Sequence, residues 1–422
     1  MPMGYVTFLR ENVRFLAFGF VLTLSSSFGQ TYFIALFSAD IRGEFGLSHG
    51  DFGMLYSLAT LASGLSLVWV GRQIDRVDLR LYTALVCAGL VASCWFMALV
   101  PSVAALVLAL FVLRLTGQGL MGHTAITSMA RYFDKGRGRA IGIASLGHAT
   151  GEAVFPLMAV GLIATLGWRH TWGAVGVGLA LTLALVVPWL LKGHATRHGE
   201  HLEQAARADG TTTTRRQWSR REVVRDVRFY MVLPAALAAP FILTGLFFHQ
   251  VHLVQSKGWE LTWYAACFVA FSAAAVAAGL LSGPLVDRFG AGRILPWSLL
   301  PLGLGLLTLV AFDDAAAAAL YLTVAGIAAG ASFTVPSAMW AEVYGVAHLG
   351  AIRALVSAVI VVSTAVSPAA MGGLIDLGVS MEAIAVIAAV YVGAAAALAA
   401  AAWRVATPDP APEPDRPADP GS

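Results

Sequence analysis

The sequence predicts an all-α polytopic membrane protein, with twelve transmembrane helices in two pseudo-symmetric six-helix bundles. Three observations predict it. Hydrophobic residues make up 58% of the 422-residue chain and charged residues 12%, against roughly 45–50% and about 25% in a soluble domain, so this composition cannot build a soluble surface. Uncharged runs recur at the length of about 20 residues that a helix needs to cross about 30 Å of hydrocarbon. A short charged turn appears twice, at Gly71-Arg72-Gln73-Ile74-Asp75-Arg76 and at Gly283-Pro284-Leu285-Val286-Asp287-Arg288, each time between two apolar runs, which marks a duplicated unit.

Within hydrocarbon, backbone groups must bond one another, which leaves helices or a closed barrel; the Ala-, Leu- and Gly-rich runs lack the alternation a barrel needs. In the first half the predicted spans are about 15–38, 50–71, 79–100, 103–130, 139–164 and 170–191; in the second, about 228–255, 262–283, 292–312, 315–340, 350–375 and 380–404. The expected organisation is an N-terminal bundle (1–191), a linker (192–227), a C-terminal bundle (228–405) and a Pro- and Asp-rich tail (406–422) expected to be disordered. The segment Met1 to Arg14 lacks a secretory cleavage pattern and is expected to be retained. Cys87, Cys94 and Cys267 fall in apolar runs without metal or disulfide spacing and are expected to pack in the interior.

Basic residues set the orientation. Of the 27 Lys and Arg, only Arg42, Arg169 and Lys257 fall in loops on the side opposite the termini, and Arg114 falls inside a span. Both termini are therefore expected to be cytoplasmic. Trp168, Trp172, Trp259 and Trp263 are expected at the outer boundary, with Trp189, Trp340 and Trp403 at the inner one. In the linker, the end from Trp218 to Phe229 is expected to lie on the inner leaflet with Trp218, Val223, Val224 and Val227 turned to lipid.

Two full charges reach mid-depth. Arg114 lies in the fourth predicted span and Glu152 in the fifth, both near the bilayer centre, where a lone charge costs at least about 2.5–3.5 kcal/mol and marks a functional position. They are expected to pair in one aqueous pocket. The hypothesis is a switch in which ionised Glu152 holds Arg114 and protonated Glu152 frees the guanidinium for a carboxylate. His148 shares the face of Glu152 one turn earlier, His123 follows Arg114 towards the inside, and Gln30 and Tyr32 in the first span lie within reach of a substrate. His249, Gln250 and His252 form either an outer gate or an interfacial helix end. A helix N-terminus carries partial positive charge, so Asp75 or Asp287 set against one in the opposite half would latch the inner side. Arg76 and Arg288 would hold the loop, with Glu342 a partner for Arg288 or Arg293, and Arg353 for Asp75. Phosphate-binding glycine loops, metal-ligand clusters and nucleophile elbows do not occur in the loops, so neither an enzyme nor a cofactor or metal is expected, and no nucleic-acid partner.

From about residue 10 to 405 the chain resembles the transporters of the major facilitator superfamily. The family's loop signature places Gly, then Asp four residues on, then Arg and further basic residues; here it reads Gly71, Asp75, Arg76, Arg80 and Gly283, Asp287, Arg288, Gly290, Arg293, with Asp78 where a glycine is usual. Gly138 and Pro156 match Gly350 and Pro368 at the offset of the loop repeat. The resemblance implies that Asp75 faces the span beginning near Gly350 and Asp287 the span beginning near Gly138. The nearest likeness is to the monocarboxylate porter and oxalate/formate antiporter branch. It is carried by Gly29-Gln30-Thr31-Tyr32, by Arg131-Tyr132-Phe133 through Arg137-Gly138-Arg139-Ala140, by Gly167-Trp168-Arg169, and by His249-Gln250-Val251-His252 with Gly258-Trp259. Arg114-Leu115-Thr116-Gly117-Gln118-Gly119 resembles a fourth-helix motif associated with proton coupling. Gly147 and Gly151 are similar to the fifth helix of drug antiporters, although Glu152 stands in place of the expected proline. Oxalate carriers of this branch are expected to use cations in the eighth and eleventh spans; residues 262–283 contain none, which favours a monocarboxylate.

The resemblance implies a monomeric secondary active transporter in a bacterial inner membrane that moves a small organic anion with a proton by alternating access. Arg114, Gln30, Tyr32, His123 and His249 are its substrate-binding candidates and Glu152 with His148 its proton-coupling pair. The alternatives are a drug/proton antiporter and a transporter-like ligand sensor.

Overall fold

The computed structural model describes residues 5–133, 136–194, 220–345 and 349–403. These residues fold into helices and short connections, with no strand among them. Ten helices are long and apolar enough to cross a membrane, and the bent pair Thr7–Gly29 and Thr31–Phe45, which meet at 44°, makes an eleventh span. The 54-residue helix Arg137–Leu190 breaks at Gly167, where φ is 75° and ψ 164°, a conformation open only to glycine at little cost. That break divides it into the fifth and sixth spans and completes the twelve.

Polar caps set where spans begin. Ser48 and Asp51 form a reciprocal capping box at His49–Gly71, the second span. Ser102, Asp226, Asp314 and Ser380 cap the fourth, seventh, tenth and twelfth spans by accepting backbone N–H groups. Asp78 does the same for the third span, Leu79–Leu99, accepting from Arg80 N at 2.9 Å. An N-cap at that position explains how the loop closes without the usual glycine.

An even number of spans puts both ends of the chain at one end of the bundle, called proximal here. At the opposite, distal end each half is braced by one cation. Arg169 pairs with Glu44 and donates to Ala98 O (3.0 Å) and Val100 O (2.7 Å), while Trp168 Nε1 donates to Glu44 at 2.9 Å. In the other half Lys257 Nζ lies 2.6 Å from Asp313 and 2.9 Å from Glu382, beside Trp259 Nε1, which donates to Asp313 O. Burial alone would lower the Lys257 ammonium, but these two carboxylates outweigh it and hold the group above its ordinary value.

Several expectations need correcting. Trp172 is fully buried, and Trp168, Trp259 and Trp340 are nearly so, because their rings pack inside the protein; of the seven tryptophans expected at the boundaries, Trp189, Trp263 and Trp403 keep substantial surface. Val223, on the short helix Arg220–Val223, is buried, whereas Val224 and Val227 are exposed. The linker segment 195–219 and the tail from residue 404 lie outside the described residues. The three cysteines are buried.

Candidate functional site

The first span breaks at Gly29–Thr31, and the break organises the interior. Gln30 is extended there (φ −84°, ψ 152°) between the two pieces. A Cβ on Gly29 would lie 2.5 Å from Gln118 N and 2.7 Å from the Gly117 Cα, so the first and fourth spans touch backbone to backbone. The fourth span answers with a π-helical stretch, Arg114–Met121, an irregularity that recurs at functional sites.

Arg114 opens that stretch and is 2% exposed. Its Nη1 donates to Gly29 O at 3.0 Å and to Thr31 Oγ1 at 3.4 Å, and the guanidinium lies 5.0 Å from the centre of the Tyr56 ring. Thr31 Oγ1 and Tyr56 Oη are 2.8 Å apart. Arg114 thus satisfies a carbonyl that the helix break sets free, while its Nε remains buried without a partner.

Glu152 lies elsewhere. Its carboxylate is 3.5 Å from His148 Nε2, with 14% and 36% of the two side chains accessible. The fifth span leans on the first at Gly151, where a Cβ would collide with Ser27. The Tyr32 ring lies edge-on to His148 at 6.4 Å and 6.0 Å from Phe268. The predicted Arg114–Glu152 ion pair is therefore absent from this structure, because the broken stretch of the first span carries Arg114 on Gly29 and Thr31 and turns Tyr32 towards His148. Gln250 adds a link from the other half, donating to Tyr32 O at 2.7 Å.

The remaining predicted residues separate into two ends. Distally, His249 Nε2 donates to Pro368 O at 2.9 Å, and the His49 ring lies 5.7 Å from that of His249 and 4.4 Å from that of His252. His49 N and Gly50 N both donate to Asp376. Proximally, His123 Nε2 donates to Gly71 O at 3.1 Å, which places it on the charged loop rather than beside Arg114. Asp75 pairs with Arg131 of its own half, not with Arg353. Glu342 accepts from Ala291 N at 2.7 Å, capping the ninth span instead of binding Arg288 or Arg293. Arg288 lies over the Phe289 ring at 5.1 Å. Arg76, Arg80, Asp287, Arg293 and Arg353 are exposed.

The sequence model of the family described as Major Facilitator Superfamily matches residues 19–270 and 250–421. The chain belongs to the major facilitator superfamily. Among curated relatives of this superfamily member, an MFS-type transporter of Gibberella zeae is 32% identical over 168 residues, 38% of this chain and 35% of that protein. A probable L-galactonate transporter of Escherichia coli is 29% identical over 173 residues, 39% of this chain and 35% of that protein. The matched region thus spans about a third of the length of either relative. Among solved structures, a bacterial homologue of the human lysosomal transporter Spinster, inward-facing and occupied, superposes with a TM-score of 0.69 at 17% identity, covering 94% of this chain and 97% of that one. Its unoccupied form gives 0.67 at 16% identity. At such identity the likeness is one of fold.

Membership and the long apolar helices make this a multi-pass membrane protein. Within that frame, sequence reasoning missed Thr31, Tyr56, Arg131 and Asp376. Thr31 adjoins the Gly29-Gln30 pair, and Asp376 is the lone acid closing the eleventh apolar run; both signals were readable. Tyr56 has no such mark.

Proposed function

We propose that this protein is a secondary carrier that moves a small organic anion, a monocarboxylate, together with a proton by alternating access. One observation carries the reading. Arg114 is buried among neutral partners, the Gly29 carbonyl, the Thr31 hydroxyl and the Tyr56 ring, and among the described residues no carboxylate pairs with it. An unpaired cation at this depth is costly, and a bound carboxylate offsets that cost through the parallel N–H bonds a guanidinium offers. A single such cation matches a single negative charge, and the eighth span, Leu261–Phe289, holds no basic residue before Arg288. The E. coli relative, named for an organic anion, is consistent with this class.

Glu152 and His148 supply the proton site. Because Glu152 is not tied to Arg114 here, it takes up or releases a proton without breaking an ion pair, and the Thr31–Tyr32 segment connects the two groups. The excess of basic residues at the proximal end supports reading that end as cytoplasmic, in what we read as a bacterial inner membrane. Asp376 holds His49 and Gly50 of the other half distally, which supports reading this state as closed at that end.

A thermal-shift screen of the purified protein with L-galactonate, shorter monocarboxylates, dicarboxylates and lipophilic cations tests the reading. A monocarboxylate at about 100 times its Kd adds about 2.7 kcal/mol of stability to the wild type and is expected to add none to Arg114→Ala and less than in the wild type to Arg114→Lys. Stabilisation by lipophilic cations that depends on Glu152 would instead establish drug/proton antiport.

A further inference from the structure

The third and sixth spans touch near their distal ends, where a Cβ on Gly176 would sit 2.9 Å from Trp95 Nε1 and 3.5 Å from the Cys94 Cβ. Towards the proximal end they part, leaving a groove of about 850 Å³. Small side chains, Ala84 and Ala88 on the third span and Ala180 and Ala184 on the sixth, keep its floor open. Its walls are otherwise aliphatic apart from Cys87. Two cations, Arg80 and Lys192, stand at the proximal mouth. From Arg80 to Val91, which lines the far end, the groove climbs about 16 Å at 1.5 Å per residue, the depth of one leaflet of a hydrocarbon layer about 30 Å thick.

We propose that this groove binds one anionic phospholipid, with the head-group phosphate between Arg80 and Lys192 and an acyl chain along the alanine floor. Charge and shape point to the same occupant. Neither cationic side chain is engaged by a carboxylate among the described residues; Asp78, the nearest acid in sequence, is turned to the Arg80 backbone N–H as a helix cap. Lys192 bonds through its backbone alone, its N–H donating to Trp189 O at 3.3 Å and its carbonyl accepting from Arg14 Nη2 at 3.2 Å, so its ammonium remains available. An apolar slot one leaflet deep accepts a single chain whose charged end stays at the interface, and basic residues at that level favour an anionic head group. The site lies wholly in the N-terminal half, away from Arg114 and Glu152, so it stands or falls separately from the transport reading.

Native mass spectrometry of the full-length protein in detergent tests this, with phosphatidylglycerol and phosphatidylcholine of identical acyl chains as probes. One phosphatidylglycerol is expected to be retained, at about thirtyfold preference for two basic residues acting on one head group. The Arg80→Ala/Lys192→Ala variant is expected to retain both lipids equally. Ala184→Trp, which fills the slot and leaves the cations in place, is expected to lose the bound lipid. Equal retention of the two lipids by the wild type overturns the proposal, as does an unchanged preference in the double variant. So does full competition by glycerol 3-phosphate with Ala184→Trp unaffected, since a head group alone would then account for binding.

Discussion

Asp376, at the end of the eleventh span, accepts the backbone N–H of Gly50 at 2.7 Å and that of His49 at 3.1 Å, so an acid of one half caps the first turn of a helix in the other. The absence of a side chain on residue 50 permits this, since a Cβ there would lie 2.6 Å from Asp376 Oδ2. A carboxylate at a helix N-terminus satisfies free donors and meets the positive end of the dipole. The interaction holds the distal end shut. Asp376→Asn should remove about 0.5–2 kcal/mol, which moves the balance between distally closed and open states about two- to thirtyfold. Distances between spin labels at Gly43 and Leu377 would report it; an unaltered distribution would mean that Asp376 does not hold the gate.

Gly29 and Gly283 separate packing from motif. Gly29→Ala drives a Cβ against the Gln118 backbone, which cannot move aside as a flexible side chain would, and is expected to cost about 1–3 kcal/mol. Gly283 belongs to the repeated loop signature, yet nothing lies within 4 Å of an added Cβ. Gly283→Ala should change stability by less than about 0.5 kcal/mol. Thermal unfolding of both variants in one detergent checks the contrast.

Arg114→Lys retains charge but loses the planar fork. An ammonium cannot present parallel N–H bonds to a carboxylate while holding the Gly29 carbonyl, and hydrogen bonds to charged groups are worth about 1.5–3 kcal/mol. Uptake at subsaturating substrate should fall more than about tenfold. Wild-type uptake by Arg114→Lys would leave the arginine a purely electrostatic role.

Lys257→Gln removes the distal brace to Asp313 and Glu382. The folded state raises this ammonium above its ordinary value; a raised group contributes fully below its unfolded pKa and loses that contribution as pH climbs past the folded one. The unfolded value is about 10.4, so the stability deficit of Lys257→Gln should stay constant between about pH 6 and about pH 9. Melting curves across that interval show it, and a deficit that grows towards the alkaline end would mean that the folded state lowers the lysine instead of raising it.

The spans were legible because composition and length decide them. Arg114 and Glu152 stood out in the sequence as charges inside apolar runs. Azimuth was not legible. A uniform 3.6-residue period brings their helices face to face, but the π-helical stretch from Arg114 to Met121 alters that period, and the break at Gly29 places an irregular segment between them. Neither departure shows in an apolar run. The loop pairings failed for another reason: Asp75 found a partner within its own half, Arg131, and Glu342 took a backbone donor, Ala291 N, in place of a side-chain cation.

Proteoliposomes carrying Glu152→Gln test the central claim most directly, by comparing counterflow of a labelled monocarboxylate with its accumulation driven by a pH gradient. With Arg114 binding the anion and Glu152 handling the proton as separate groups, counterflow should persist while pH-driven accumulation disappears. Accumulation at the wild-type level in Glu152→Gln would contradict the account.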